Sequence, residues 1–350
     1  MAKNVPQDDS VPIALPSKSR NYIVGIGSSA GGLEALSALI AALPNNLGLS
    51  YVVIQHLSPT HKSLLVQLLG RETSMAVCEI EDQMIPQVDV IHIAPASRNT
   101  IFKDGRFILM ETKRETLPKP SANVFLTSLA NEKGEDAIGI ILSGTGSDGT
   151  VGLREIKANG GFTFVQEPST AKYTGMPQSA IDSGCVDWVL SPEKIASEIT
   201  NIVRNRTTIA QHVELTKPQS IATQLKRLLI NVKQKTRIDF GGYKEGTLWR
   251  RIERRMAANH FINFDDYLKF TEDTPDELEQ LSRDILISVT AFFRDQEAFA
   301  QIKPIIKTIT SKKQTGDEIR IWVPACATGE EAYSIAILLA ETLGSNLPRY

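Results

Sequence analysis

The sequence predicts an α/β protein: a doubly wound, mostly parallel sheet, then a linker, a small helical domain and the start of an incomplete second α/β domain. Three observations carry this. Short apolar runs alternate with helical repeats through the first two hundred residues, a polar stretch then interrupts the pattern, and the chain beyond is helical and charged. The expected boundaries are a disordered tail over 1–20, the sheet domain over 21–204, a linker over 205–219, the helical domain over 220–300 and the truncated α/β start over 301–350.

The elements follow in chain order. The first twenty residues are polar and contain proline, with no apolar core of a signal peptide. Tyr22-Ile-Val-Gly-Ile26 reads as a buried strand, and Leu33, Leu36, Leu39, Ile40 and Leu43 recur at helical spacing. Tyr51-Val-Val-Ile-Gln55, Val90-Ile-His-Ile-Ala94, Ile138-Gly-Ile-Ile-Leu142, Phe162-Thr-Phe-Val165 and Val186-Asp-Trp-Val-Leu190 read as further strands. Strands apolar on both faces belong to a parallel sheet covered on both sides. Asp104-Gly105, between Ile101-Phe102 and Arg106-Phe-Ile-Leu-Met110, signals a hairpin, expected at the sheet edge. Thr207-Thr208 and Lys217-Pro218 mark the linker. Leu225, Leu228, Leu229 and Val232 mark one later helix, Leu248, Ile252 and Met256 another, and Leu268, Leu278, Leu281 and Ile285 more. Ile319-Arg-Ile-Trp-Val323 reads as a strand leading into a helix from Tyr333 to Leu343.

Bulk properties narrow the function classes. The net charge of −2 gives no global attraction to nucleic acid or anionic membrane. Cys78, Cys185 and Cys326 lack metal-ligand spacing and read as reduced thiols of a cytoplasmic protein. The five histidines form no H-x-x-x-H pair, so no metal site is expected. No apolar run is long enough to span a bilayer.

Residues 27–31, Gly-Ser-Ser-Ala-Gly, match G-x-S-x-G between a strand and a helix. Such a sharp turn exposes the oxygen of Ser29, and the Ala30 N–H at the helix start can donate to an oxyanion. The same segment fits a dinucleotide fingerprint at Gly25, Gly27 and Ala30. That reading needs an acid at the end of the second strand to hold ribose hydroxyls; Gln55-His56-Leu57 stands there instead. A histidine is the base that a serine nucleophile needs, so hydrolysis is favoured. His61 reads as a loop residue and His92 as a strand residue. Asp148, in the loop Ser143-Gly-Thr-Gly-Ser-Asp-Gly149, is the expected third partner; an Asx-turn or a phosphate cradle are its other readings, and no lysine follows at P-loop spacing. The chain order Ser, His, Asp differs from that of the α/β-hydrolases.

These segments, with Ile93-Ala-Pro95 and Gly175-Met-Pro177, resemble CheB, the chemoreceptor glutamate methylesterase, over roughly residues 21–200. The resemblance implies Ser29 as nucleophile, His56 as base, Asp148 as orienting acid, Ala30 and Thr145 as backbone donors to the oxyanion, and Met176 in the active-site loop. It implies hydrolysis of γ-glutamyl methyl esters on a methylated chemoreceptor-like protein, and glutamine deamidation. No receiver domain precedes residue 21, so an esterase not held shut by one is expected.

Residues from about 220 onward resemble the N-terminal part of CheR, the opposing methyltransferase, through Tyr243-Lys-Glu-Gly-Thr-Leu-Trp-Arg-Arg-Ile-Glu-Arg-Arg-Met256, Ser288-Val-Thr-Ala-Phe-Phe-Arg-Asp295 and Trp322-Val-Pro-Ala-Cys-Ala-Thr-Gly-Glu-Glu-Ala-Tyr-Ser334. This implies S-adenosylmethionine contacts at Ser288, Thr290, Arg294 and Glu330, and receptor docking by Arg250, Arg251, Arg254 and Arg255. The expectation is a CheB–CheR fusion whose methyltransferase activity needs a longer chain. A catalytically silent module binding receptor or S-adenosylmethionine is the alternative.

Overall fold

The computed structural model describes residues 21–56, 64–96, 98–111, 120–215, 218–286, 292–293, 296–314, 316–324, 326 and 329–344. It divides into two compact units, residues 1–287 and 288–350.

The first unit opens with β1 (Ile23–Ser28), α1 (Gly32–Ala42) and β2 (Ser50–Gln55), followed by α2 (Leu65–Leu69), β3 (Ala76–Glu79) and β4 (Val90–Ile93). A hairpin, β5 (Asn99–Lys103) and β6 (Arg106–Met110), precedes α3 (Ala122–Lys133). Next come β7 (Ala137–Ile141), α4 (Thr150–Ala158), β8 (Phe162–Gln166), α5 (Gly175–Asp182) and β9 (Trp188–Leu190). Seven strands form one sheet in the order β3-β4-β2-β1-β7-β8-β9, and every pairing is parallel. β1, β2, β4, β7 and β8 are buried along their whole length, which explains their unbroken apolar runs. The chain winds outward from β1 through β2, then returns to lay β7 on the other side of β1. That reversal opens a crevice beyond the carboxyl ends of the strands, between β1 and β7.

The hairpin forms a separate two-stranded sheet, not an edge of the large one; Phe107 of β6 also exchanges backbone hydrogen bonds with Gln83 and Met84, at 2.8 Å each. Asp104 and Gly105 both take positive φ, as its tight turn demands. Phe102, Phe107 and Phe125 stack their ring edges, and the Ser128 hydroxyl accepts from Phe102 N–H, so the hairpin's sticky face is spent on α3.

The polar stretch expected as a linker is mostly helical. α6 (Pro192–Leu215) runs through it, and α7 (Pro218–Thr236) resumes after it. Ile195, Ile199, Ile202 and Ile209 keep one face of α6 buried past residue 204, so tertiary packing overrides the polar composition. α8 (Glu245–Ala258), α9 (Phe264–Asp273) and α10 (Pro275–Ile285) complete the helical part. Leu225, Leu228, Leu248, Ile252, Met256, Tyr267 and Leu281 join the same core as Val24, Ile138 and Phe162 of the sheet.

Buried charges also tie the helices to the sheet. Arg206 of α6 donates to Glu135 at 3.0 Å and Glu253 at 3.3 Å, with its guanidinium over the Phe162 ring. Arg254 of α8 pairs with Asp187 and Asp284 and donates to the Gly161 carbonyl at 3.2 Å. Lys157 reaches Asp187 at 3.1 Å. Burial alone would raise the Asp187 carboxyl's pKa, but Arg254 and Lys157 outweigh it and hold it below the ordinary aspartate value. Glu135, Gly161 and Asp187 all lie just before strands, so Arg206 of α6 and Arg254 of α8 meet the sheet at its end opposite the crevice.

This placement corrects one expectation. The arginines of α8 do not form an open docking face: Arg254 is buried, Arg255 pairs with Glu277 at 2.8 Å, and Arg251 donates to the Ala158 carbonyl at 3.1 Å. Of the four, only Arg250 is exposed. α8 lies between the sheet part and α10, so its basic stripe meets carboxylates and carbonyls of its own chain.

The second unit holds α11 (Gln296–Ser311) and α12 (Glu330–Leu343). Residues 319–323, expected as a strand, have no strand pairing, and Trp322 is 87% exposed. A strand is defined by a ladder, and among the described residues no other segment pairs with these to form one.

Candidate active site

β1 ends at Ser28, and the turn that follows is held between its two neighbouring strands. Ser29 N–H donates to the Ser143 carbonyl beyond β7 at 3.0 Å, and His56 N–H beyond β2 donates to the Ser28 carbonyl at 3.0 Å. Three strand ends thus bring Ser29, His56 and the 143–149 loop to one place in the crevice.

His56 bridges the other two predicted residues. Its Nδ1 lies 3.0 Å from Ser29 Oγ and its Nε2 lies 2.8 Å from Asp148 Oδ2. A carboxylate only accepts, so Nε2 carries the proton and Nδ1 presents a lone pair to the serine hydroxyl. Ser29 is half-buried and Asp148 is buried.

Asp148 also occupies the N-terminus of α3. Its Oδ1 accepts from Ser121 Oγ at 2.9 Å and Asn123 N–H at 3.0 Å, and its Oδ2 accepts from Ala122 N–H at 2.6 Å. Burial pushes the carboxyl pKa up; the hydrogen bonds from His56, Asn123, Ala122 and Ser121 together outweigh it and leave the pKa lowered. Free N–H groups and the positive end of the helix dipole favour this anion. Asn123 Oδ1 then accepts from Gly149 N–H at 2.9 Å and Gly152 N–H at 3.1 Å, fixing the loop that carries Asp148.

Gly144 lies under Ser29. A Cβ there would come 2.2 Å from Met176 Sδ and 2.9 Å from Ser29 Cβ, so only glycine admits this approach. Met176 is buried, and its N–H donates to the Gly144 carbonyl at 2.9 Å. Ala30 and Thr145 are both exposed at the crevice. Among the described residues, neither donates its N–H to a backbone carbonyl.

The remaining candidates separate from this group. His92 is buried in β4, with Nδ1 3.0 Å from the Tyr51 carbonyl; burial lowers its pKa despite that bond, and it is a core residue. His61, Ser288, Thr290 and Arg294 lie outside the described residues. Glu330 opens α12. With residues 319–323 unpaired, the described residues of the second unit form no strand–turn–helix cradle for S-adenosylmethionine. Among the described residues, no group of three His, Cys, Asp or Glu could hold a metal ion, and no helix is long and apolar enough to cross a membrane.

Sequence reasoning missed Ser121, Asn123 and the part played by Gln55. Ser121 carried a helix-start signal, a small hydroxyl before the apolar pattern of α3, and its side chain does accept from Val124 N–H at 3.4 Å. That this helix start receives Asp148, 27 residues away, was not local information.

Three family models match the chain in succession: CheB methylesterase over residues 24–199, the all-alpha domain of CheR methyltransferase over 223–286, and the CheR SAM-binding domain over 288–349. An uncharacterized 104.1 kDa protein of Rhodobacter capsulatus is 33% identical over 78% of this chain, which spans 31% of that protein's length. A putative protein-glutamate methylesterase/protein-glutamine glutaminase of Leptospira interrogans is 33% identical, covering 53% of this chain and 97% of its own length. A protein of Geobacter sulfurreducens with the same assignment is 32% identical, and the match spans 55% of each chain. The crystal structure of the Thermotoga maritima CheB methylesterase catalytic domain is 32% identical with a TM-score of 0.49, covering 51% of this chain and 97% of its own.

Proposed function

Because the chain belongs to the CheB methylesterase family, we propose that it hydrolyses γ-glutamyl methyl esters on a chemoreceptor-like signalling protein, with Ser29, His56 and Asp148 as its catalytic residues. The observation that carries this is His56, bonded on one side to Ser29 Oγ at 3.0 Å and on the other to Asp148 at 2.8 Å.

His56 Nδ1 takes the hydroxyl proton as Ser29 Oγ attacks the ester carbonyl carbon. The carbonyl oxygen gains the negative charge, facing the N–H groups of Ala30 and Thr145. When the tetrahedral intermediate collapses, the C–O bond to the methoxy group breaks, and the proton on Nδ1 leaves with it as methanol. Water then attacks the glutamyl-serine ester and gives a proton to Nδ1. Ser29 Oγ recovers that proton and glutamate is released. Asp148 stays ionised throughout, holding the Nε2 proton and stabilising the imidazolium. With glutamine in place of the ester, the group that leaves is ammonia.

We place the esterase in residues 21–204, with the CheR-like helical part over 220–300 and the S-adenosylmethionine-binding part after it. Methanol release from a methylated receptor fragment tests the reading: the native chain releases it and Ser29→Ala does not. Equal release by both would refute it. Receptor binding without release, and without labelling of Ser29 by a serine-directed phosphonate, would mark a silent binding module instead.

A further inference from the structure

Two consecutive carbonyls of the nucleophile turn are tied to side chains outside it. The Ser29 carbonyl accepts from Gln55 Nε2 at 2.7 Å and from Gly32 N–H at 2.9 Å. The Ala30 carbonyl accepts from Ser143 Oγ at 3.0 Å. The orientation of the Gln55 amide is dictated by chemistry: a carbonyl oxygen only accepts, so the amide nitrogen faces Ser29. Its oxygen then accepts from the Ser28 hydroxyl. Both side chains are buried, and α1 closes over them; a Cβ at Gly32 would lie 2.7 Å from Ser28 Cβ and 2.8 Å from Gln55 Oε1.

A trans peptide is a rigid plane in which C=O and the following N–H point in opposite directions. Holding the Ser29 carbonyl toward Gln55 therefore turns the Ala30 N–H the other way. Ala30 is exposed, while the Ser29 carbonyl is tied to buried groups behind it. We infer that Gln55 is a positioning residue that, through the Ser29 carbonyl, holds the Ala30 N–H in place as the oxyanion donor. The inference rests on the esterase reading above and extends it to a residue with no direct part in the chemistry. Register explains the arrangement: β1 and β2 pair Ser28 with Gln55, and His56 follows at once. Neighbouring residues at one strand end thus serve the two sides of the serine, His56 its proton and Gln55 the charge that forms beside it.

Oxyanion charge appears only on the way to the transition state, so its loss falls on kcat and not on KM. The experiment uses the full chain and methanol release from methylated receptor fragment. Gln55→Met keeps the side-chain length without either hydrogen-bonding end. Gln55→Glu keeps the shape and replaces the donor with an acceptor. For both, kcat falls by about 10- to 100-fold, just short of the roughly 10²–10³ that removal of an oxyanion donor costs. KM stays within about twofold. Ser28→Ala frees the amide to turn and lowers kcat several-fold in the same manner. A merely structural glutamine would lower the thermal midpoint and leave kcat of the folded fraction alone.

A kcat within about twofold of the native chain in both Gln55 variants overturns the inference, as does a loss confined to KM. If the Gln55 variants do not fold, Ser28→Ala is judged by the same criterion. A native chain that releases no methanol overturns the esterase reading and this inference with it. An active native chain with unaffected variants overturns this inference alone.

Discussion

At the scale of single residues, Asp148 has two tasks that share one carboxylate. It orients His56, and it neutralises the N-terminus of α3 through Ala122, Asn123 and Ser121. Asp148→Asn removes the charge and can flip the imidazole tautomer, and kcat for methanol release is expected to fall by roughly 10⁴. Stability should respond in a definite direction. The folded carboxyl's pKa lies below its unfolded value of about 3.9, so the group stabilises the fold above that pH, and the contribution is lost as pH falls through the folded pKa. Urea unfolding at pH 7 and near pH 3 should find a smaller drop toward acid in Asp148→Asn than in the native chain. An equal drop would place the acid sensitivity elsewhere. Ser29, His56 and Asp148 were legible as types of chemistry at strand ends. Gln55 was legible only as the wrong residue for a ribose, because what it does depends on two carbonyl directions that no local pattern encodes.

At the scale of elements, three loops meet under tight steric limits. The 143–149 loop passes so close to Ser29 and Met176 that Gly144→Ala must displace one of them. A shift of about 1 Å at the nucleophile costs on the order of 10²-fold in rate, so the variant should fold while losing methanol release to about that extent. Activity near the native level would mean that Met176 yields freely. Six of the seven sheet strands and the hairpin were readable, since long apolar runs and an Asp-Gly turn leave direct marks in composition; β3, exposed or half-buried throughout, carries no such run and was not read as a strand. The helical course of residues 205–215 was not, since polar residues there are supported by one buried isoleucine face and not by propensity. Residues 319–323 are the converse case: a strand-like composition without a partner forms no ladder.

At the scale of the whole first unit, sheet and helices share one apolar core and a set of buried ion pairs. Arg254→Ala leaves Asp187 and Asp284 without their shared cation, and breaking such buried pairs costs about 3–5 kcal/mol. Chemical unfolding of the full chain should register that loss, with kcat at temperatures below the transition unchanged, because the cluster lies at the end of the sheet opposite Ser29. Loss of activity in the folded variant would instead indicate coupling through the sheet. The same burial means that charge reversal at Arg250 alters only an exposed side chain, whereas reversal at Arg254 acts through the fold.

The sequence by itself determined the layered α/β class, the succession of parts and the three residue types at the crevice, because periodicity, turn chemistry and motif spacing are properties of neighbouring positions. Tertiary structure alone decided the strand order, the use of the α3 N-terminus to hold Asp148, the tie from Gln55 to the nucleophile turn and the inward pairing of the α8 arginines. Each of these depends on groups that lie tens of residues apart and meet only when the chain folds, and a charged or polar side chain reads the same in sequence whether its partner is water or a buried carboxylate.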